Sequence, residues 1–96
     1  MSAGIEVAGQ AVGALRVILP SGDVSVFPWS IFLRADLIAN GDASNGVLTF
    51  ASGAVRFSGR EAVLEAVLEA SARNYLRSIR LAHDGLTELL VEDPQT

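Results

Sequence analysis

Apolar and polar positions alternate with a period of two along several short stretches of the chain, which is typical of strands with one buried face. Residues 15–19 alternate in this way, and so do residues 24–27. Between them lies Pro20-Ser21-Gly22-Asp23, a turn-forming segment, since proline fixes one backbone dihedral and glycine accepts a positive φ. The pattern therefore predicts a β-hairpin over residues 15–27.

A second hairpin is predicted over residues 48–57. The large apolar residues on both sides of Ala51-Ser52-Gly53 fall on one face, and polar residues fall on the other. One wet face is expected of an antiparallel sheet. The preceding residues 40–46 are rich in Asn, Gly, Asp and Ser, so they are predicted to form a loop.

Residues 77–92 allow two interpretations. Residues 78–81 alternate, and the turn His83-Asp84-Gly85 would bring Arg80 opposite Glu88 in a third hairpin. The alternative is that a helix predicted for residues 59–76 continues to His83 and that Gly85 is its C-terminal cap. We favour the hairpin, because the longer helix would expose an apolar residue beside a row of arginines.

A helix is predicted from about residue 59 to about residue 76. Ser58 and Glu61 have the spacing of a capping box, in which each side chain satisfies a backbone donor at the helix start. Alanine and leucine are frequent in the segment, and its apolar positions recur at helical spacing. The apolar stripe consists of Leu64, Leu68, Ala72 and Tyr75, widened by Val63, Val67 and Leu76. This stripe is expected to cover the sheet.

The segment FPWSIFLRADLI, residues 27–38, contains eight apolar side chains and has a proline near its start. Pro28 suits the first turn of a helix, and the residues Trp29, Phe32, Leu33 and Leu37 recur at helical spacing. We therefore predict a short helix at about residues 28–39. The alternative is a strand, because every second residue from 31 to 37 is also apolar.

These elements predict one α+β domain spanning residues 1–96. Its small antiparallel sheet of three hairpins would be covered on one face by the long helix and by the short helix. Residues 1–13 are expected to be a flexible N-terminal segment, and residues 93–96 a frayed tail.

Half of the 96 residues are hydrophobic, and a chain of this size buries only about 60–65% of its unfolded surface. Some apolar surface should therefore remain exposed and meet another chain, so a homo-oligomer is expected, with a dimer as the default. The residues Phe27, Trp29, Phe32 and Leu33 are interpreted first as core, second as a subunit interface and third as a ligand pocket.

Charge and cysteine content narrow the function classes. The formal net charge is −4, so a nucleic-acid partner is not expected. The chain has no cysteine, which excludes disulfides and thiolate chemistry, and we expect a cytoplasmic protein. No stretch resembles a signal peptide, and none reaches the roughly 20 apolar residues of a membrane span, so no membrane partner is expected.

The candidate chemistry is sparse. Arg73, Arg77 and Arg80 form the one basic cluster and could grip a phosphate or carboxylate. The same arginines also suit the C-terminal half of a helix whose N-terminal half is acidic, which is the arrangement the helix dipole favours. Glu65 and Glu69 lie one turn apart, opposite the apolar stripe, and are expected to be solvated.

His83 beside Asp84 is interpreted as a turn residue, and a further hypothesis is an enzyme whose site pairs His83 with a carboxylate of another subunit. We find no catalytic, metal or cofactor motif. The leading hypothesis is a non-enzymatic interaction module that self-associates, and the alternative is a small anion-binding protein.

Overall fold

The computed structural model describes residues 4–40 and 43–93. These residues form strands and one α-helix, and a short 3-10 turn, Trp29–Ile31, precedes the fourth strand. In chain order the elements are β1 (Ile5–Val7), β2 (Ala14–Ile18), β3 (Val24–Pro28), β4 (Phe32–Asn40), β5 (Ala43–Phe50), β6 (Gly53–Gly59), α1 (Glu61–Ala72), β7 (Leu76–Arg80) and β8 (Leu86–Glu92).

The strands form two four-stranded sheets. Sheet A has the order β1-β7-β2-β3, and sheet B has the order β4-β5-β6-β8. Neighbouring strands are antiparallel except β2 and β7, which run parallel. The α+β class is confirmed, whereas the prediction of one small sheet of three hairpins is wrong in its detail.

Two of the three predicted hairpins are confirmed. In sheet A, Leu15 lies opposite Phe27, and in sheet B, Leu48 lies opposite Val55. The predicted third hairpin is wrong, because its two segments are strands that do not pair with each other. The alternative, an extended helix, is wrong as well. β7 pairs with β1 and β2 in sheet A, while β8 pairs with β6 in sheet B. The turn between them therefore carries the chain from one sheet to the other.

The predicted short helix at residues 28–39 is wrong, because the strand alternation prevails after one 3-10 turn. Ala35 and Leu37 lie opposite Leu48 and Gly46 on the inner face of sheet B. An irregularity in the register between Phe32 and Arg34 leaves Leu33 facing solvent. The predicted loop at 40–46 is also strand at residues 40 and 43–46, and residues 41 and 42 lie outside the described residues.

The helix is shorter than the predicted 59–76 at both ends. Arg60 is the N-cap and provides no side-chain cap. The capping box is wrong, because Ser58 belongs to β6 and its hydroxyl donates to the Asn45 side chain instead. After Ala72 the chain turns at Asn74, whose φ is 60°.

The C-terminal turn of α1 is a Schellman motif. The N–H of Tyr75 donates to the carbonyl of Ala70 at 2.9 Å, and the N–H of Asn74 donates to the carbonyl of Ser71 at 3.1 Å. Asparagine tolerates the left-handed conformation that this motif requires better than most residues do. The helix ends here, so Leu76 is free to enter β7.

The N-terminal segment that the sequence suggested to be flexible contributes a strand. β1 pairs with β7, placing Ile5 opposite Ile79, and Gly4 accepts a hydrogen bond from Arg80 N at 2.7 Å. Residues 1–3 and 94–96, which include most of the predicted tail, lie outside the described residues.

The core lies between the inner faces of the two sheets and α1. Its buried residues are Leu15, Val17, Phe27, Trp29, Leu48, Phe50, Val55, Phe57, Leu64, Val67, Ala70, Leu76, Ile79 and Leu86. The indole N–H of Trp29 donates to the Leu76 carbonyl at 3.1 Å, while its ring meets Phe50 with centroids 5.4 Å apart. Trp29 therefore joins the two sheets, through a hydrogen bond to β7 and a ring contact with β5.

A glycine shapes the inner face of sheet B. Gly46 lies opposite Phe57, and a Cβ atom at Gly46 would overlap the ring of Phe57. The ring lies over the glycine backbone, so this position requires a residue without a side chain.

Candidate functional site

The structure separates the four predicted interface residues. Phe27 and Trp29 are buried in the core, and Phe32 is half-buried against them. The rings of Trp29 and Phe32 meet edge to face at 4.9 Å. Leu33 is 64% exposed at the irregular start of β4. Leu33 is therefore the member of this group that another molecule could contact directly.

Exposed aliphatic side chains follow a simple rule in the described part of the chain. Eight large ones are exposed, and seven of these lie on the edge strands β1, β3, β4 and β8. The seven are Val7, Val24, Val26, Leu33, Leu37, Ile38 and Leu90, and the eighth, Leu81, follows β7. The apolar surface is thus concentrated along the open sides of the sheets.

The β3 edge of sheet A is uncharged along its whole length. Val24 and Val26 point to the outer face, where they lie opposite Ile18 and Arg16 of β2. Ser25 and Phe27 point to the inner face, where Phe27 is buried. Valine favours strands because its side chain packs well on a half-buried sheet surface. On β3 the two valine side chains are exposed instead, so this part of the outer face is apolar surface open to water.

The two edges of sheet B carry charges. On β8, Glu88 and Glu92 flank Leu90 on the outer face, and Glu92 accepts a hydrogen bond from Arg56 at 2.6 Å. On β4, Arg34 binds Asp36 through two hydrogen bonds of 2.8 and 2.9 Å. These hydrogen bonds and the charge of Asp36 raise the pKa of the Arg34 guanidinium.

The predicted arginine cluster does not share a helix face. Arg73 follows the last residue of α1, and its Nη2 atom lies 3.7 Å from Oε1 of Glu69. Arg77 lies on β7, 3.9 Å from Glu6 of β1. Arg80 is at the end of the same strand and lines a separate depression with Glu6. Two of the three arginines thus already have a carboxylate partner.

A shallow groove of about 350 Å³ runs between α1 and β1. Its lining includes Ala62 and Ala66 of the helix together with Val7 and Tyr75. Glu65 and Glu69 are exposed at this groove, as expected. The apolar stripe differs from the prediction, because Ala72 is exposed and the buried residues of α1 are Leu64, Val67, Ala70 and Ser71.

His83 is exposed in the turn between β7 and β8. Among residues 4–40 and 43–93, no three His, Asp or Glu side chains are grouped so that they could hold a metal ion. Within the same residues, α1 is too short and too polar to cross a bilayer.

The β3 edge is the feature that sequence reasoning passed over. Residues 24–27 place an apolar residue on each face, Val24 and Val26 on one and Phe27 on the other. An antiparallel sheet that packs on the core with one face usually has polar residues on its other face. Apolar residues on both faces of a strand therefore indicate that the outer face is covered by another part of the chain or by another molecule.

Comparison of the chain with protein-family models, curated proteins and solved structures gives no match.

Proposed function

We propose that the chain is a non-enzymatic interaction module that associates with copies of itself, with a dimer as the default assembly. One observation carries this proposal, namely that seven of the eight exposed large aliphatic side chains lie on edge strands. An edge strand also presents unpaired backbone N–H and C=O groups, so apolar side chains there make a surface suited to another strand.

Self-association through sheet edges is a recognised way to use such a surface. Backbone hydrogen bonds supply much of the affinity, and the side chains of the added strand supply the specificity. The composition agrees with this proposal, because a small chain that is half hydrophobic cannot bury all of its apolar surface alone.

Sedimentation equilibrium of the whole chain from about 1 µM to about 1 mM tests the proposal. We expect the mass to rise with concentration toward that of a dimer. A chain that sediments as a monomer over this whole range contradicts the proposal.

A variant with one lysine on each edge strand sharpens the test. Val7→Lys, Val26→Lys, Ile38→Lys and Leu90→Lys are combined, which brings the formal net charge of −4 to zero. A monomer in this variant therefore cannot be attributed to repulsion between highly charged copies. The matched control is Leu81→Lys, at the exposed aliphatic residue outside the edge strands, and this control is expected to associate like the unaltered chain.

A further inference from the structure

The four edge strands differ in how well they are protected from other strands. β1 has three residues and an irregular register, and β4 begins with a similar irregularity. β8 carries Glu88 and Glu92 on its outer face. Irregular pairing and charge are devices by which proteins prevent edge-to-edge pairing. β3 has neither, since its five residues are regular and uncharged.

The hydrogen bonds at both ends of the β2–β3 hairpin define which backbone groups of β3 point outward. Leu19 N donates to Asp23 O at 2.9 Å, and Trp29 N donates to Gly13 O at 3.0 Å. Antiparallel pairs alternate between hydrogen-bonded and non-hydrogen-bonded, and the register between these ends is unbroken. The backbone groups of Ser25 therefore point toward β2.

The N–H and C=O groups of Val24 and Val26 consequently point away from β2. Within the described part of the chain, β3 pairs with β2 alone. Pro28 has no N–H, so it offers a carbonyl and no donor at the end of the strand. The outward donors of β3 are thus those of the two valines.

From this pattern we infer that two copies of the chain pair through β3, antiparallel and in one register, with Ser25 on the two-fold axis. In this register Val24 of one copy lies opposite Val26 of the other. The N–H of each valine donates to the carbonyl of the valine opposite, so every outward N–H of the strand obtains a partner. Sheet A then continues from one copy into the other as a single sheet.

The side chains fit the same arrangement. Val24 and Val26 of both copies come together on the outer face, flanked by Ile18 and Arg16 of each copy. Cross-strand contacts between β-branched residues stabilise a sheet, and no charged residue of β3 opposes its own copy. A second copy of β8 would instead bring Glu88 opposite Glu92 when Leu90 is central, and like charges in that position are destabilising.

This inference deepens the proposed function and rests on it. Two strands of five residues cover less than the about 800 Å² per partner of a standard interface, so the dimer should be reversible and weak. We expect a dissociation constant on the order of 10 µM or higher.

Cysteine cross-linking tests the register directly, because the chain has no cysteine of its own. Residues opposite one another in a non-hydrogen-bonded pair have Cα atoms about 4.5 Å apart, within the about 4.4–6.8 Å that a disulfide spans. Ser25→Cys is therefore expected to form a covalent dimer with oxidised glutathione. In the same register the two Val26 Cα atoms are about 8–9 Å apart, too far for a disulfide, and the two Val24 Cα atoms are similarly distant.

The variants Val24→Cys, Val26→Cys and Leu90→Cys are the controls, and Leu90→Cys measures random collision of exposed thiols. Trp29 fluorescence checks that each variant is folded. Efficient cross-linking of Ser25→Cys above these controls supports the inference. Preferred cross-linking of Val24→Cys or Val26→Cys overturns the register. A dimer in sedimentation without cross-linking through β3 overturns the inference and leaves the proposed function standing, whereas a monomer overturns both.

Discussion

β3 and β8 are edge strands of different sheets, and each carries an apolar side chain that is more than half exposed. Val26 on β3 is 58% exposed, and Leu90 on β8 is 55% exposed. Their neighbours differ, because Val26 is followed by Phe27 and Pro28 and faces Arg16 across the hairpin, whereas Leu90 lies between two glutamates on its own face. The exposed area of one side chain therefore does not identify an interface. Charges on an edge strand disfavour pairing with another copy, so we expect β3 to be the more accessible of these two edges.

Gly46 lies in an interior strand of sheet B, so Gly46→Ala is expected to disturb the core, unlike the variants at the sheet edges. The added Cβ would overlap the Phe57 ring, so the ring must move. We expect a loss of about 1–3 kcal/mol in the free energy of unfolding, measured by urea denaturation. The control is Gly9→Ala, because nothing lies within contact distance of a Cβ at Gly9. Equal stability of the two variants would contradict the packing described for sheet B.

The sharpest contrast between the edges is Val26→Lys against Leu90→Lys. Lysine on β3 places two ammonium groups near one another in the dimer, so we expect the dissociation constant to rise about tenfold or more, equivalent to about 1.4 kcal/mol. The same change on β8 should alter it by less than about twofold. Sedimentation equilibrium measures both. A larger effect at Leu90 would place the interface on sheet B.

Removing the charges from β8 should make the two edges alike. In the double variant Glu88→Thr and Glu92→Thr, two copies of β8 no longer place like charges opposite one another. Each molecule could then pair through both β3 and β8, so we expect species larger than a dimer. They should appear as a few-fold rise in light scattering. Adding Val26→Lys to this variant should limit assembly to pairs. Unchanged scattering would mean that the glutamates do not protect β8.

Salt should have the smallest effect. Two copies with a formal net charge of −4 repel one another, and β3 itself has no charge, so screening should strengthen the dimer. We expect the dissociation constant to fall by less than about tenfold between about 0.05 and about 0.5 M NaCl. A dimer that weakens with salt would instead be held by ion pairs, for example by Arg73, Arg77 or Arg80.

The sequence predicts those parts of the fold that depend on neighbouring residues. The hairpins at β2–β3 and β5–β6 follow from alternation and turn residues within about a dozen positions. The pairing of β7 with β2 joins strands from opposite halves of the chain, and no local pattern specifies that contact. The same limit explains the wrong prediction for β8. The turn before β8 predicts pairing with β7, whereas β8 pairs with β6.

Ambiguous periodicity explains the error at residues 28–39. Leu33 and Leu37 fit both a period of two and a helical spacing, and only the inner face of sheet B selects the strand. The end of α1 was open to prediction, because Asn74 is a suitable residue for the left-handed turn after a helix. The protection of β8 and the lack of it on β3 are visible only once the sheet order is known, so the candidate interface needed the structure.

The parallel pairing of β2 with β7 has a consequence for how the protein acquires its structure. β7 fills the interior of sheet A but follows β2 by about 60 residues, so loop closure must precede that contact. The β4–β6 meander can form early from local contacts, while the β2–β3 ribbon must wait for its central neighbour. A nascent chain stalled before residue 76 would hold a nearly complete sheet B beside an unfinished sheet A, and chaperone recognition would be most needed at that stage.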